Sequence, residues 1–162
     1  FRSRAALRQR AAIGGGPAQI VADVNRQVVA DVGDSGHFVT LFFMIFDSGQ
    51  RRLSWTRAGH DPALLIDPAT GDVHELKGSG MALGVDPAIR FETGTRCDPS
   101  AGAIIFLGTD GLWEACDTDG RMFGRQAVVE TILHHAHEPA AAIVNAVVDR
   151  LTGCTRGSAV GR

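Results

Sequence analysis

An α+β fold, an antiparallel β-sandwich flanked by helices, is what the order of segments in this sequence predicts. Helix-forming segments open the chain, a series of short strand-forming segments separated by tight turns fills its middle, and two more helical segments close it. Strands joined by turns of a few residues pair antiparallel, and helices placed at the ends of such a run cover the sheets from outside. The alternating strand and helix order of a doubly wound parallel sheet is missing, as are internal repeats and an interdomain linker. Residues 1–162 therefore read as one domain, long enough to bury a core.

Each element has its own local reason. Residues 1–12 carry strong helix formers without turn residues; Gly14-Gly15-Gly16 ends that helix, and Pro17 suits the first position of the next. From Pro17 to Ala30, Ile20, Val24 and Val28 recur every four residues, which predicts an amphipathic helix with Asp23, Asn25 and Arg26 on its polar face. A loop over residues 31–37 leads into Phe38–Phe46, β-branched and aromatic throughout, which predicts a central strand. Asp47-Ser48-Gly49-Gln50 is a hairpin turn, and residues 51–58 alternate with Leu53 and Trp55 on one face. Strands follow at 63–66 and 73–76 across the turn at 68–72, then at 89–95. Helices are predicted over residues 124–135 and 139–151, and the small, polar tail from Thr152 is expected to fray.

Composition narrows the function. Apolar residues make up 44% and charged residues 21%, with a net charge of −2, so no basic face for nucleic acid or polybasic membrane anchor is expected. Cys97, Cys116 and Cys154 are odd in number and far apart, which argues against a disulfide framework or a cysteine-ligated zinc and for a reducing cytoplasm. The longest apolar run, Phe38–Phe46, has about half the length a membrane-spanning helix needs. Because the chain starts at Phe1, it is expected to begin inside a longer one.

The most informative stretch runs from Ala103 to Ala115. Five apolar residues, Ala103–Leu107, lie between Gly102 and Gly108 and predict a strand buried on both faces. Thr109-Asp110-Gly111 follows, then the helix-forming Leu112-Trp113-Glu114-Ala115. A carboxylate at the mouth of a buried strand is held by the core and open to solvent. This suits a ligand of a hard cation, with Gly111 leaving room for close approach. Asp110 as a cap of the following helix is the simpler alternative. The glycine-rich loop Gly78–Gly84 is not followed by a helix, as a phosphate-cradling loop would be, and reads as an ordinary connection.

Taken together, the segments resemble the bacterial metal-dependent protein phosphatases of the PPM class, in the branch of sporulation stage II protein E and the stress-response sigma-factor phosphatases. The resemblance is carried, in order, by Val24-Asn25 with Val28, by His37–Phe43, by Ala58–Leu65, by Gly80–Gly84, and by Leu107–Ala115 with Phe123-Gly124. It implies a two-layer sandwich and hydrolysis of phosphoserine or phosphothreonine on a signalling regulator, such as an anti-sigma-factor antagonist. It further implies two Mn²⁺ or Mg²⁺ ions that activate a water. It places Asp110 as a catalytic metal ligand with Gly111 beside it, and Thr109, Glu114 and His60 in support. A sensor domain or a homodimer would fit the same family.

Two departures bear on activity. The family's first metal aspartate lies in a G-D-x-S-G-H-G segment before the first helix, where this chain opens. Its last lies in an Asp-Asp pair before a final strand, where this chain reads Gly153–Ala159 without a carboxylate. The expectation is therefore a domain lacking the first metal segment and the last strand, weak or inactive alone. The alternative is a catalytically inactive fragment or pseudophosphatase that serves as a protein-binding module.

Several look-alikes weigh less. Gly33-Asp34-Ser35-Gly36-His37 resembles the family's first metal segment but stands after the helix, and it resembles the surroundings of a serine-protease nucleophile, yet no histidine precedes Ser35; a turn is the simpler reading. His134, His135, His137 and Glu138 read as a solvated helix end. His60 is either a turn residue or a general acid, and Glu114 either orients the Asp110 loop or stabilises a helix's first turn. Asp117 and Asp119 lack the later ligands of a calcium loop.

Overall fold

The computed structural model describes residues 3–155, which divide into two compact units. The first holds the residues up to Leu64 together with Glu75–Ala101; the second holds Leu65–His74 and the residues from Gly102 on.

The first unit begins with two helices, α1 (Ser3–Ile13) and α2 (Pro17–Val32). Gly14 and Gly15 separate them at φ of +89° and +119°, which residues with a Cβ rarely adopt, and Pro17 opens α2 as its sequence position predicts. The helix runs two residues past the predicted end, and Gly33 stops it by donating its N–H to the Val29 carbonyl. Residues 33–35 form a single 3-10 turn. Ile20, Val21, Val24 and Val28 are all buried, and Val21, Val24 and Val28 form a core with Ala58, Leu83 and Phe91. Each such aliphatic side chain contributes about 1.5–3 kcal/mol by leaving water.

Asn25 departs from its expected place on the polar face. It is 1% exposed, its Nδ2 donates to the Asp86 carbonyl at 2.7 Å, and its Oδ1 accepts from Gly84 N at 3.0 Å. The loop carbonyl and amide it meets satisfy it, so burial carries little penalty.

Strands β1 (Leu41–Asp47) and β2 (Arg52–Ala58) form a hairpin in the register Leu41↔Ala58 to Asp47↔Arg52. Its turn is closed by Gln50 N donating to Asp47 Oδ1 at 2.9 Å. On the other side of β2, strand β5 (Gly94–Cys97) pairs antiparallel, so the order is β1–β2–β5. The apolar run at 38–46 is thus terminal in this sheet among the described residues, not central, and residues 38–40 precede the strand with Val39 bridged to Leu83. The strand expected at 89–95 starts only at Gly94: Ile89 and Phe91 pack on the core from irregular backbone, which answers the same apolar pattern.

A second three-stranded sheet has the order β4 (Val73–Leu76), β3 (Ala63–Ile66), β6 (Ile104–Phe106). Every residue of β3 is buried. The expectation that residues 103–107 are buried on both faces is not met: Ile105 is 37% and Leu107 48% exposed while Ile104 and Phe106 are half-buried, so one face of β6 is left open by the described residues. In the second unit, α3 (Asp110–Trp113), α4 (Gly124–His134) and α5 (Ala140–Thr155) follow β6. Val128 and Ile132 of α4 and Ile143 and Val147 of α5 are buried. Arg150 of α5 fastens the helix pair, donating to the Ala127 carbonyl at 2.9 Å and to Thr131 Oγ1 at 2.8 Å. Residues 152–155, expected to fray, are helical, and the remainder of that tail lies outside the described residues. No helix among the described residues is long and apolar enough to cross a membrane.

A cluster on α1 and α2 gives a pH-dependent expectation. Arg10 Nε donates to Asp23 Oδ2, while Arg26 Nη2 and Gln19 Nε2 donate to Oδ1. The Arg10 hydrogen bond above all, against a partial desolvation, holds the Asp23 carboxyl below its ordinary value. For a carboxyl lowered on folding, the stability gained is complete above its unfolded value, about 3.9, and is lost as pH falls through the lower folded value. The pair is partly solvated, so it is worth at most about 1 kcal/mol. Urea unfolding of wild type and Asp23→Asn is expected to differ by that amount at pH 6, and the difference is expected to shrink as pH falls below the unfolded carboxyl value of about 3.9.

Candidate metal-ligand turn at Asp110

Four of the five site residues expected from the sequence lie on one turn of the second unit. Thr109 is the N-cap of α3 by its extended backbone (φ −104°, ψ 161°), with no side-chain cap hydrogen bond. Asp110 is the first residue inside the helix, so it does not cap it. Its Oδ1 instead accepts from the Gly111 N–H at 2.8 Å. This bond fixes one carboxylate oxygen and leaves Oδ2 without a protein donor among the described residues. Thr109, Asp110, Gly111 and Glu114 are all exposed. A Cβ at Gly111 would meet nothing nearer than Thr109 Oγ1 at 3.8 Å, so the glycine keeps the approach to Asp110 open without being sterically required. The Glu114 N–H donates to the Asp110 carbonyl at 2.9 Å and closes the turn.

The turn is anchored from below by Trp113, which is buried and carries the Arg125 guanidinium 4.7 Å from its ring centroid. Gly108 fits closely here: a Cβ would lie 3.0 Å from Trp113 Cζ3 and 3.1 Å from Phe106 Cε1, and both rings would have to give by a few tenths of an ångström. The first turn of a helix also favours a carboxylate electrostatically.

His60 belongs to the first unit, after β2. Its Nδ1 lies 3.5 Å from Thr40 Oγ1, a long contact that orients the ring weakly. Two other carboxylates are engaged elsewhere. Asp98 Oδ1 accepts from Arg51 Nε at 3.3 Å, and Asp117 Oδ1 accepts from the N–H groups of Asp119 and Arg121, both at 2.9 Å. His135 Nδ1 lies 2.9 Å from Glu138 Oε1, and this hydrogen bond holds the Glu138 carboxyl below its ordinary value.

The donor type at Asp110 fits a hard divalent cation, and the donor number does not. Among the described residues no group of three or more His, Cys, Asp or Glu side chains could hold a metal ion. One carboxylate with water would bind Mg²⁺ or Mn²⁺ weakly. Among the described residues, the turn therefore offers one carboxylate of the right type and no further ligand beside it.

Comparison with known proteins places this geometry in a family. Residues 1–159 match the family model of Stage II sporulation protein E (SpoIIE). Protein IcfG of Synechocystis sp. is 34% identical over 109 residues, 67% of this chain and 17% of IcfG. Phosphoserine phosphatase RsbU of Bacillus subtilis is 24% identical over 135 residues, 83% of this chain and 39% of RsbU. Among solved structures, the SiaA-PP2C domain of Pseudomonas aeruginosa superposes with a TM-score of 0.80 at 21% identity, covering 97% of this chain and 62% of that one. The fold is the α+β fold of PP2C-type phosphatase domains, and the chain belongs to the SpoIIE family of PPM-type phosphatases. It spans well under half the length of either curated relative.

Proposed function

We propose that residues 1–162 belong to one PPM-type domain of a cytoplasmic phosphoserine or phosphothreonine protein phosphatase acting on a phosphorylated signalling regulator, with Mn²⁺ or Mg²⁺ as its metal. The observation that carries this reading is Asp110 in the first turn of α3, with one oxygen tied to Gly111 N and the other open. Thr109, Gly111 and Glu114 shape that turn, and His60 is assigned a supporting role from the first unit. Family membership and the match to a phosphoserine phosphatase support the reaction class.

A second reading, a non-catalytic protein-binding module, is favoured by the absence of a three-ligand cluster among the described residues. The test is Mn²⁺-dependent release of phosphate from a phosphoserine protein by the protein as the cell makes it, beside Asp110→Asn. Removing a metal-ligating oxygen is expected to cost about 100-fold or more, at least what loss of an outer-shell partner costs. The exposed position predicts no more than about 0.5 kcal/mol of stability change. Equal activity in both proteins removes Asp110 from the mechanism; no activity in the wild type selects the binding module.

A further inference from the structure

We propose that Arg57 and the Gly78-Ser79-Gly80 loop form a binding site for a phosphate-type oxyanion. Both lie in the first unit, and the inference does not depend on the phosphatase reading.

The first observation is an unpaired guanidinium. Arg57 sits on β2, half-buried, and its Nε is buried with no hydrogen-bond partner. Arg57 makes no hydrogen bond or ion pair with any described residue, whereas Arg10, Arg26, Arg51 and Arg150 each face a carboxylate. A guanidinium stays charged at any working pH and carries five donors, so a half-buried one without an acceptor is costly. An anion at its outer nitrogens offsets that cost.

The second observation is the loop laid against the backbone and Cβ of Arg57. A Cβ at Gly78 would lie 3.5 Å from Arg57 Cβ, and a Cβ at Gly80 would lie 2.2 Å from the Arg57 carbonyl oxygen. Glycine at position 80 lets the backbone approach the strand, and glycine at both positions leaves no side chain there to cover the arginine. The loop is pinned at both ends: Trp55 Nε1 donates to the Lys77 carbonyl at 2.8 Å, and Gly59 N donates to the Gly80 carbonyl at 2.9 Å. Between these pins, the N–H groups of Gly78, Ser79, Gly80 and Met81 donate to no acceptor among the described residues, and the Ser79 hydroxyl is exposed without a partner.

Successive free backbone N–H groups in a glycine-containing loop are suited to an anion, and this requires no following helix. Residues 78–84 lack that helix and still present such donors. A tetrahedral oxyanion offers acceptors both for the planar arginine fork and for backbone donors, which identifies the phosphate type. The source is either a phosphorylated side chain or free phosphate.

The test is a titration of the ¹⁵N-labelled chain with inorganic phosphate at constant ionic strength. Resonances of Gly78, Ser79, Gly80 and Met81 are expected to move together. Arg57→Met is expected to weaken the apparent affinity about tenfold or more, the worth of one charge-assisted hydrogen bond. Arg57→Lys, which keeps the charge and loses the fork, is expected to fall between them. Thermal unfolding of Arg57→Met is expected at or above the wild-type temperature, because an unpaired buried donor is removed. Four unmoved amides in the wild type, equal shifts with chloride, or unchanged affinity in both variants would each overturn the site. A phosphoserine peptide acting at lower concentration than phosphate supports the site with a phosphorylated protein as its source, and the reverse order supports it with free phosphate.

Discussion

Asn25→Ala is expected to lower stability by about 2–4 kcal/mol, which for a chain of this size is about 5–15 °C in Tm. The reason is the number of groups one side chain serves. Asn25 is 1% exposed within α2 and joins the helix to the Asp86 carbonyl and the Gly84 N–H at once. Removing it leaves the partly buried Gly84 N–H and the Asp86 carbonyl without their partner and empties the buried position that the amide fills in α2. Gly84 has no slack to follow the loss. Its φ is +93°, and a Cβ there would already lie 3.1 Å from the His37 carbonyl oxygen and 3.3 Å from Val28 Cγ1. Asn25→Asp separates packing from hydrogen bonding. The carboxylate can still accept from Gly84 N, but it faces the Asp86 carbonyl and carries a buried charge. Burial raises such a carboxyl, so its folded-state value lies above the unfolded one. Stability of Asn25→Asp is therefore expected to fall as pH rises from about 4 to 7, and to recover on acidification. Urea unfolding at both pH values checks this, and a Tm for Asn25→Ala within about 2 °C of wild type would refute the clamp.

Asn25 also marks a limit of what residue patterns reveal. The spacing of Ile20, Val24 and Val28 gave the buried face of α2 correctly, and polarity alone put Asn25 on the opposite face. An amide that meets a loop carbonyl and amide from residues 84–86 is decided by tertiary contact, which a helix period does not encode. The same limit explains the strands. The apolar runs at 38–46 and 103–107 were legible as strands, but the number of neighbours each has is a property of sheet order. Both proved terminal among the described residues. The turn at Asp110 was legible because it rests on local chemistry: an apolar run, a glycine on each side of the carboxylate's turn, and a helix start. Arg57 was not, since an unpaired guanidinium is defined by contacts it fails to make.

Gly94→Ala carries the second large effect, through a close approach and not through backbone conformation. Gly94 pairs directly with Trp55 across β2 and β5, and the indole lies over it. A Cβ at position 94 would be 2.4 Å from Trp55 Cε2 and 2.7 Å from Nε1, distances that require the ring to move. The ring is not free to do so: it is 7% exposed, and its Nε1 donates to the Lys77 carbonyl at 2.8 Å. Overpacking of this kind costs about 1–3 kcal/mol, and loss of the indole hydrogen bond adds about 1 kcal/mol. The two residues are in contact, so their substitutions should not add. Trp55→Val beside Gly94→Ala is expected to recover about 1–3 kcal/mol relative to the sum of the single changes, and additive losses would mean that the indole does not set the glycine. Among the described residues β5 pairs with β2 alone, so displacement of Trp55 should also release that strand. The same indole N–H holds Lys77, the residue before Gly78-Ser79-Gly80. Gly94→Ala is therefore expected to loosen one pin of that loop and to broaden the amide resonances of residues 78–81 before phosphate is added.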